Sequence, residues 1–189
     1  MNIKIKDPVV VKNILSDEEF SNFSDYLFNR PKLDAEFDKS FGRYAFHDPE
    51  IDRVADILTP IARQYFDSEN LVPSYSLFGH YEGQNAQLWK HKDDNACTYT
   101  LDMCIYQKET WDLWVDDKSY TLHPNEALAY YGNDQLHWRE DFPNKDTNHV
   151  AMVFFHFVEP EHWYFSKGPS YLEVIRGIKT EEQWNAEQP

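Results

Sequence analysis

Beyond Ser74 the chain stops reading as helix and begins to read as short strands, and this switch constrains the fold more than any other feature. Apolar and polar residues alternate in brief runs, the two-residue period of a half-buried strand. Gly83, Asp116-Asp117, Pro124-Asn125 and Pro143-Asn144 separate the runs with turn-forming residues. The expected strands are 74–81, 87–90, 98–106, 112–115, 118–122, 127–130 and 150–158. So many strands, so closely spaced, leave no room for the crossover helices of a parallel α/β sheet. The pattern predicts a double-sheet sandwich or jelly roll.

The first part of the chain has a different period. Ser16 is placed to cap a helix, with Glu19 at the capping-box position and acidic residues in the first turn. Phe20, Phe23, Tyr26 and Leu27 continue at helical spacing to about Asn29, and Pro31 ends the run. A second helix is expected from Asp48-Pro49 to Phe66. Its apolar face would carry Ile51, Val54, Ile57, Leu58, Ile61 and Tyr65, and Pro60 should break or kink it. Between the helices, residues 32–49 read as irregular, with a short strand at Tyr44-Ala45-Phe46. After Pro160 the sequence turns aromatic and then polar, with a helix near 180–184. No repeat or linker is visible. One domain is therefore expected: an N-terminal helical support (1–70), a strand-rich core (71–158) and a C-terminal extension (159–189).

Composition narrows the function classes. A net charge of −15 opposes binding to nucleic acid, because phosphate contacts need clustered Lys and Arg. The acidic surface reads first as a solubility feature and second as a hint of a basic partner. Cys97 and Cys104 are the two cysteines, too few for a disulfide scaffold and without the second ligand pair of a structural zinc site. Both are expected to pack within strands, in a protein of the reducing cytoplasm. No signal-peptide pattern or long apolar span points to a membrane.

One constellation suggests chemistry. His91 and Asp93 stand two apart, so on an extended segment they point to one face, and His137 can close the set from a distant strand. Two histidines and one carboxylate on one side of a metal form the facial triad of non-haem Fe(II) oxygenases. Asp94 is read as a solvated neighbour.

The order of parts resembles a 2-oxoglutarate- and Fe(II)-dependent dioxygenase of the prolyl-4-hydroxylase-like kind. Leu15-Ser16-Asp17-Glu18-Glu19 resembles the helix leading into the catalytic barrel. His80-Tyr81-Glu82-Gly83 followed by His91-Lys92-Asp93 resembles the family's Tyr-x-x-Gly … His-x-Asp stretch. Leu122-His123-Pro124-Asn125-Glu126-Ala127-Leu128 resembles its Pro-Gly-Asp turn, with Asn125 and Glu126 replacing Gly and Asp. Tyr131-Gly132 … Leu136-His137-Trp138-Arg139-Glu140 resembles a branch whose distal ligand is followed by Trp-Arg-Glu. The resemblance covers residues 8 to 158.

It implies a double-stranded β-helix with an N-terminal helical layer, mostly β with flanking helices. It also implies Fe(II) held by His91, Asp93 and His137, with 2-oxoglutarate as cosubstrate and O2 as oxidant. Oxidative decarboxylation would yield succinate and CO2 and hydroxylate a peptide side chain or a small molecule. Tyr81 and Tyr99 are the hydroxyl donors expected at the cosubstrate, and Trp89 and Trp138 the expected pocket walls.

One position departs from the family. An Arg or Lys is expected about ten residues after the distal histidine, and Asn148-His149-Val150 stands there instead. Arg139 and His149 are the two candidates for holding the far carboxylate of 2-oxoglutarate; a guanidinium suits a carboxylate better than an imidazole does. His156 should face opposite to His149 and serve as a packing residue. Two other readings remain open. One is a non-catalytic metal-binding jelly-roll module, the other a cupin-type iron enzyme that does not use 2-oxoglutarate.

Overall fold

A computed structural model describes residues 5–29, 43–46, 48–175 and 177–187. The helix stop at Pro31 and most of the irregular stretch lie outside the described residues. In chain order the elements are β1 (Val9–Lys12), α1 (Asp17–Asn29), β2 (Arg43–Phe46), α2 (Pro49–Phe66) and β3 (Val72–Glu82). They continue with β4 (Tyr99–Gln107), β5 (Leu113–Val115), β6 (Lys118–Tyr120), β7 (Glu126–Tyr130), β8 (His137–Arg139) and β9 (His149–Val158). Three short helices follow: α3 (Trp163–Lys167), α4 (Leu172–Ile175) and α5 (Glu181–Ala186).

Both long helices begin where the capping residues require. Ser16 Oγ accepts the Glu19 amide at 3.2 Å, and Asp48 Oδ1 accepts the amides of Glu50 (2.9 Å) and Ile51 (3.2 Å). These bonds satisfy donors that a helix start otherwise leaves open. α2 runs without interruption through Pro60, so the expected break is absent. Pro60 faces solvent, where water can satisfy the carbonyl that its missing N–H leaves behind. The buried stripe of α2 is Ile51, Val54, Ala55, Leu58, Ala62 and Phe66. Ile57, expected on that face, is 40% exposed. The two alanines on the stripe let the helix lie close against the sheet.

All strand pairs are antiparallel. Six strands form one sheet in the order β1-β7-β4-β9-β3-β2, and three form a second in the order β6-β5-β8. This is the jelly-roll, double-stranded β-helix architecture. Register fixes which residues share a face. Leu101 pairs with Ala129 and Phe155, and the next residue, Asp102, pairs with Leu128 and Phe154.

The two sets build two cores. Leu101, Met103, Ala129, Val153, Phe155 and Phe157 pack under α1 and α2 against Phe23, Leu27, Ile51 and Leu58. Cys104, Leu128, Tyr130, Val150, Met152 and Phe154 face the smaller sheet and meet Trp111, Leu113 and Val115. The candidate site residues grow out of this second interior.

One expected strand is absent, and two strands, β1 and β8, lie outside the expected set. Residues 87–90 form no strand; His91 alone makes an isolated bridge, its amide donating to the His137 carbonyl at 3.0 Å and its carbonyl accepting from His137 at 2.9 Å. β8 is a strand too short to show alternation in sequence. β1 is an edge strand paired with β7, although its Val9 side chain is 43% exposed. Among the described residues no helix is long and apolar enough to cross a membrane.

Candidate metal centre

The histidines and the carboxylate converge because three loops are tied together by backbone bonds. The His91–His137 bridge joins the loop after β3 to the start of β8, and the Asp93 amide donates to the Gly132 carbonyl at 2.9 Å. Asp116, in a left-handed turn conformation (φ 55°) between β5 and β6, accepts from the Leu136 amide and the Gln135 amide group, both at 3.1 Å. That anchors the approach to His137. At the far end of the interior, Asn125 adopts φ 65° in the turn before β7. Its side-chain amide bonds both the amide and the carbonyl of Leu15, fixing the helix layer to the sheet.

Asp93 Oδ1 lies 3.3 Å from His91 Nε2 and 3.4 Å from His137 Nε2. Each imidazole is oriented through its other nitrogen. His91 Nδ1 is 2.6 Å from the Trp89 carbonyl, and His137 Nδ1 is 3.0 Å from the Gln135 carbonyl. A carbonyl only accepts, so both rings donate from Nδ1 and present Nε2 to the centre, the arrangement typical of metal-binding histidines. The ligand atoms of the three side chains lie within 4.8 Å of one another.

Gly132 keeps the space open. A Cβ there would stand 2.5 Å from Asp93 Oδ2 and 2.7 Å from the Cys97 carbonyl, so any side chain would displace the carboxylate. Burial alone would push the Asp93 carboxyl up. When the His137 and His91 rings are protonated at Nε2, their hydrogen bonds to the carboxylate outweigh burial and hold the group well below the usual carboxylate range. Two oriented nitrogens, one ionised carboxylate and an open side toward a cavity suit a divalent transition metal with free coordination positions.

The cavity behind the centre is lined by Tyr75, Leu77, Tyr81, Leu88, Asp102, Tyr130, Phe154 and His156, together with the three metal-ligand candidates. Tyr81 is fully buried, its ring edge-on to Trp111 at 5.0 Å. Burial pushes its hydroxyl upward, with the Arg139 charge pulling the other way. Arg139 is also buried, its Nη1 donating to the Trp111 carbonyl and its guanidinium 5.0 Å from the Trp111 ring. Its Nε and Nη2 have no hydrogen-bond partner among the described residues. Asp102 accepts from the Tyr130 hydroxyl at 3.2 Å through Oδ2, while Oδ1 is buried without a partner. Burial pushes the Asp102 carboxyl up to about 7, against the pull of His137.

The structure thus brings His91, Asp93, His137 and Tyr81 to one cavity and buries Arg139 in the same interior. It takes two expected residues elsewhere. Tyr99 shares parity with Leu101 and lies on the helix-facing side of the sheet, 5.0 Å ring to ring from Phe66. His149 shares parity with Ala151 and Val153; it is exposed and 3.3 Å from Glu82. Trp138 stacks on Trp114 across the outer surface of the smaller sheet, and Trp89 is 61% exposed, so neither walls the cavity.

His156, expected as packing, lines the cavity; Cys97, expected within a strand, ends the 3-10 turn Asn95–Cys97 before β4; Asp102 and Tyr75 carry no mark in the sequence. The one available sequence signal was parity. His156 lies an even number of residues from Val150 and Phe154, and Asp102 from Cys104, on the strands that face the smaller sheet.

No protein-family model and no curated protein sequence matches the chain. Solved structures match it in shape. EctD from S. alaskensis, crystallised with bound Fe, superposes with a TM-score of 0.64 at 12% identity, over 80% of this chain and 72% of that one. A Pseudomonas putida prolyl-4-hydroxylase gives 0.60 at 11% identity, over 80% and 92%. HygX from Streptomyces hygroscopicus, crystallised with nickel and 2-oxoglutarate, gives 0.59 at 11% identity, over 82% and 83%. At these identities the likeness establishes a shared fold.

Proposed function

We propose that this chain is an Fe(II)- and 2-oxoglutarate-dependent oxygenase that hydroxylates a peptide side chain or a small molecule. The observation that carries the reading is the meeting of His91, Asp93 and His137. Both histidines are locked through Nδ1 so that Nε2 points to the carboxylate. The fold shared with structures that hold Fe, or nickel with 2-oxoglutarate, supports it.

In this reading His91, Asp93 and His137 hold the iron, which supplies activation of oxygen coupled to decarboxylation of the oxoacid. The rest of the chain binds and orients. Arg139 is the proposed partner of the far carboxylate of 2-oxoglutarate, because its unpartnered Nε and Nη2 are donors that burial makes costly to leave open. Tyr81 shares that interior and is the proposed second donor. His149, facing the other side of the sheet, is set aside for this role. Leu77, Leu88 and Phe154 exclude water from the reacting groups.

The test is anaerobic. Adding Fe(II) and then 2-oxoglutarate should produce the visible metal-to-ligand charge-transfer band of the chelate, and admitting O2 should release succinate. Iron bound at His91, Asp93 and His137 with no such band would point instead to a cupin-type iron enzyme or a metal-binding module. His91→Ala and Asp93→Ala should abolish both signals while the chain stays folded.

A further inference from the structure

Beside the cavity lies a second set of donor atoms, which shares Asp93 with the first and adds two residues that the proposed chemistry does not use. Asp93, Cys97 and His156 each offer a ligand atom, and these lie within 4.8 Å of one another. Asp93 and Cys97 stand four residues apart in the connection between β3 and β4, Cys97 at the end of the 3-10 turn Asn95–Cys97, and His156 reaches them from strand β9. His156 is 4% exposed and lines the cavity. Its Nδ1 is 3.1 Å from the Tyr75 carbonyl, so it donates there and leaves Nε2 as a lone-pair donor. Among the described residues that Nε2 has no hydrogen bond. Cys97 is 2% exposed, with its sulfur 2.9 Å from the Tyr75 hydroxyl. Asp93 has an oxygen for each set: Oδ1 lies against the two metal-ligand histidines, and Oδ2 is turned toward Gly132 and the turn that carries Cys97.

We propose that Asp93, Cys97 and His156 form a second metal site, joined to the first through the Asp93 carboxylate, and that it takes a borderline-soft divalent cation of the zinc class. The donor chemistry selects the ion. A sulfur, an imidazole nitrogen and a carboxylate oxygen favour zinc over iron(II) or magnesium, whereas the first site offers nitrogen and oxygen alone. Carboxylates that bridge two metals about 3.5–4 Å apart are common in enzymes. Zinc–ligand distances of about 2.0–2.3 Å bring tetrahedral donors to about 3.5 Å from one another, so the three atoms need to close by roughly 1 Å. On binding, the thiol proton leaves to solvent and the Tyr75 hydroxyl donates to the resulting thiolate. Both sites open into one cavity, so an ion in the second occupies space otherwise open to the reactants.

The inference needs Asp93 as a ligand but does not need 2-oxoglutarate. The test uses the full metal-free chain titrated with cobalt(II), a spectroscopic stand-in for zinc. The expected result is a near-ultraviolet sulfur-to-cobalt charge-transfer band and a second equivalent of bound metal. Cys97→Ser should lose the band and the second equivalent and keep the first. His156→Ala should also lose the second equivalent. His91→Ala, altering a half-exposed ring, should weaken the first site and keep the thiolate band. Saturation of the unaltered protein at one equivalent with no thiolate band would overturn the proposal, whatever the variants do. One equivalent with the band, unchanged in His91→Ala, would instead uphold the second site and remove the first.

Discussion

The same strands present two chemically different faces. On the helix side of the six-stranded sheet, Leu101, Met103, Val153 and Phe155 meet Phe23, Ile51 and Leu58 in a hydrocarbon and aromatic layer. On the other side, one residue away along each strand, stand Asp102 and His156, with Asp93 and His137 lining the same cavity and Arg139 buried nearby against Trp111. Burying each large apolar side chain contributes about 1.5–3 kcal/mol. Each buried donor or acceptor left open costs about 1–3 kcal/mol. The first face therefore supplies stability, and the second spends part of it to hold polar atoms ready for a ligand.

The largest test of this contrast is Phe155→Ala. Phe155 is fully buried on the helix side, and its truncation should lower unfolding stability by about 3–5 kcal/mol in a denaturant titration. Metal affinity of the folded protein should stay as it was. A variant that lost metal binding but kept its stability would collapse the distinction between the faces.

Asp102→Asn comes next and is read as a slope. The Asp102 carboxyl stands at about 7 in the fold, against an ordinary value of 3.8. The folded chain therefore binds more protons than the unfolded one between these values. Stability from this group is intact below about pH 4 and lost as pH rises toward 7, by about 4 kcal/mol if the whole shift is realised. Asn cannot ionise, so thermal melts should show the variant gaining on the parent across that window. Parallel pH profiles would mean that Asp102 is ionised at little cost.

Gly132→Ala should lower metal affinity about 10–100-fold by displacing Asp93, measured by calorimetric titration. Unchanged affinity would show that the carboxylate can shift freely. Arg139→Met should leave stability unchanged or raise it by about 1–3 kcal/mol, because open buried donors disappear, while weakening apparent 2-oxoglutarate affinity. Loss of stability without loss of affinity would make Arg139 a structural residue.

Much of the fold was legible because it is set by local periodicity. The long strand expected at 98–106 is Tyr99–Gln107, the cap expected at Ser16 starts α1, and the second helix begins at Pro49 as expected, with Asp48 as its cap. Short elements were not legible. Three residues of β8 cannot display a period, and Gln87-Leu88-Trp89-Lys90 carries no clear alternation and forms no strand, although the Leu88 carbonyl accepts from the Arg139 amide of β8.

The sequence by itself determined the candidate ligand set, since His91 and Asp93 are two residues apart and His137 follows in a motif of its own. It also determined that alternate residues of each strand part company. Tertiary structure decided which way they part. A two-residue period is symmetric between the faces, so Tyr99 and Asp102 carry opposite parity with no local mark of which one meets the helices. Only the packing of α1 and α2 on one face, and of the smaller sheet on the other, breaks that symmetry. That packing sent Tyr99 and His149 away from the cavity, brought His156 into its wall and buried Arg139 beside Trp111.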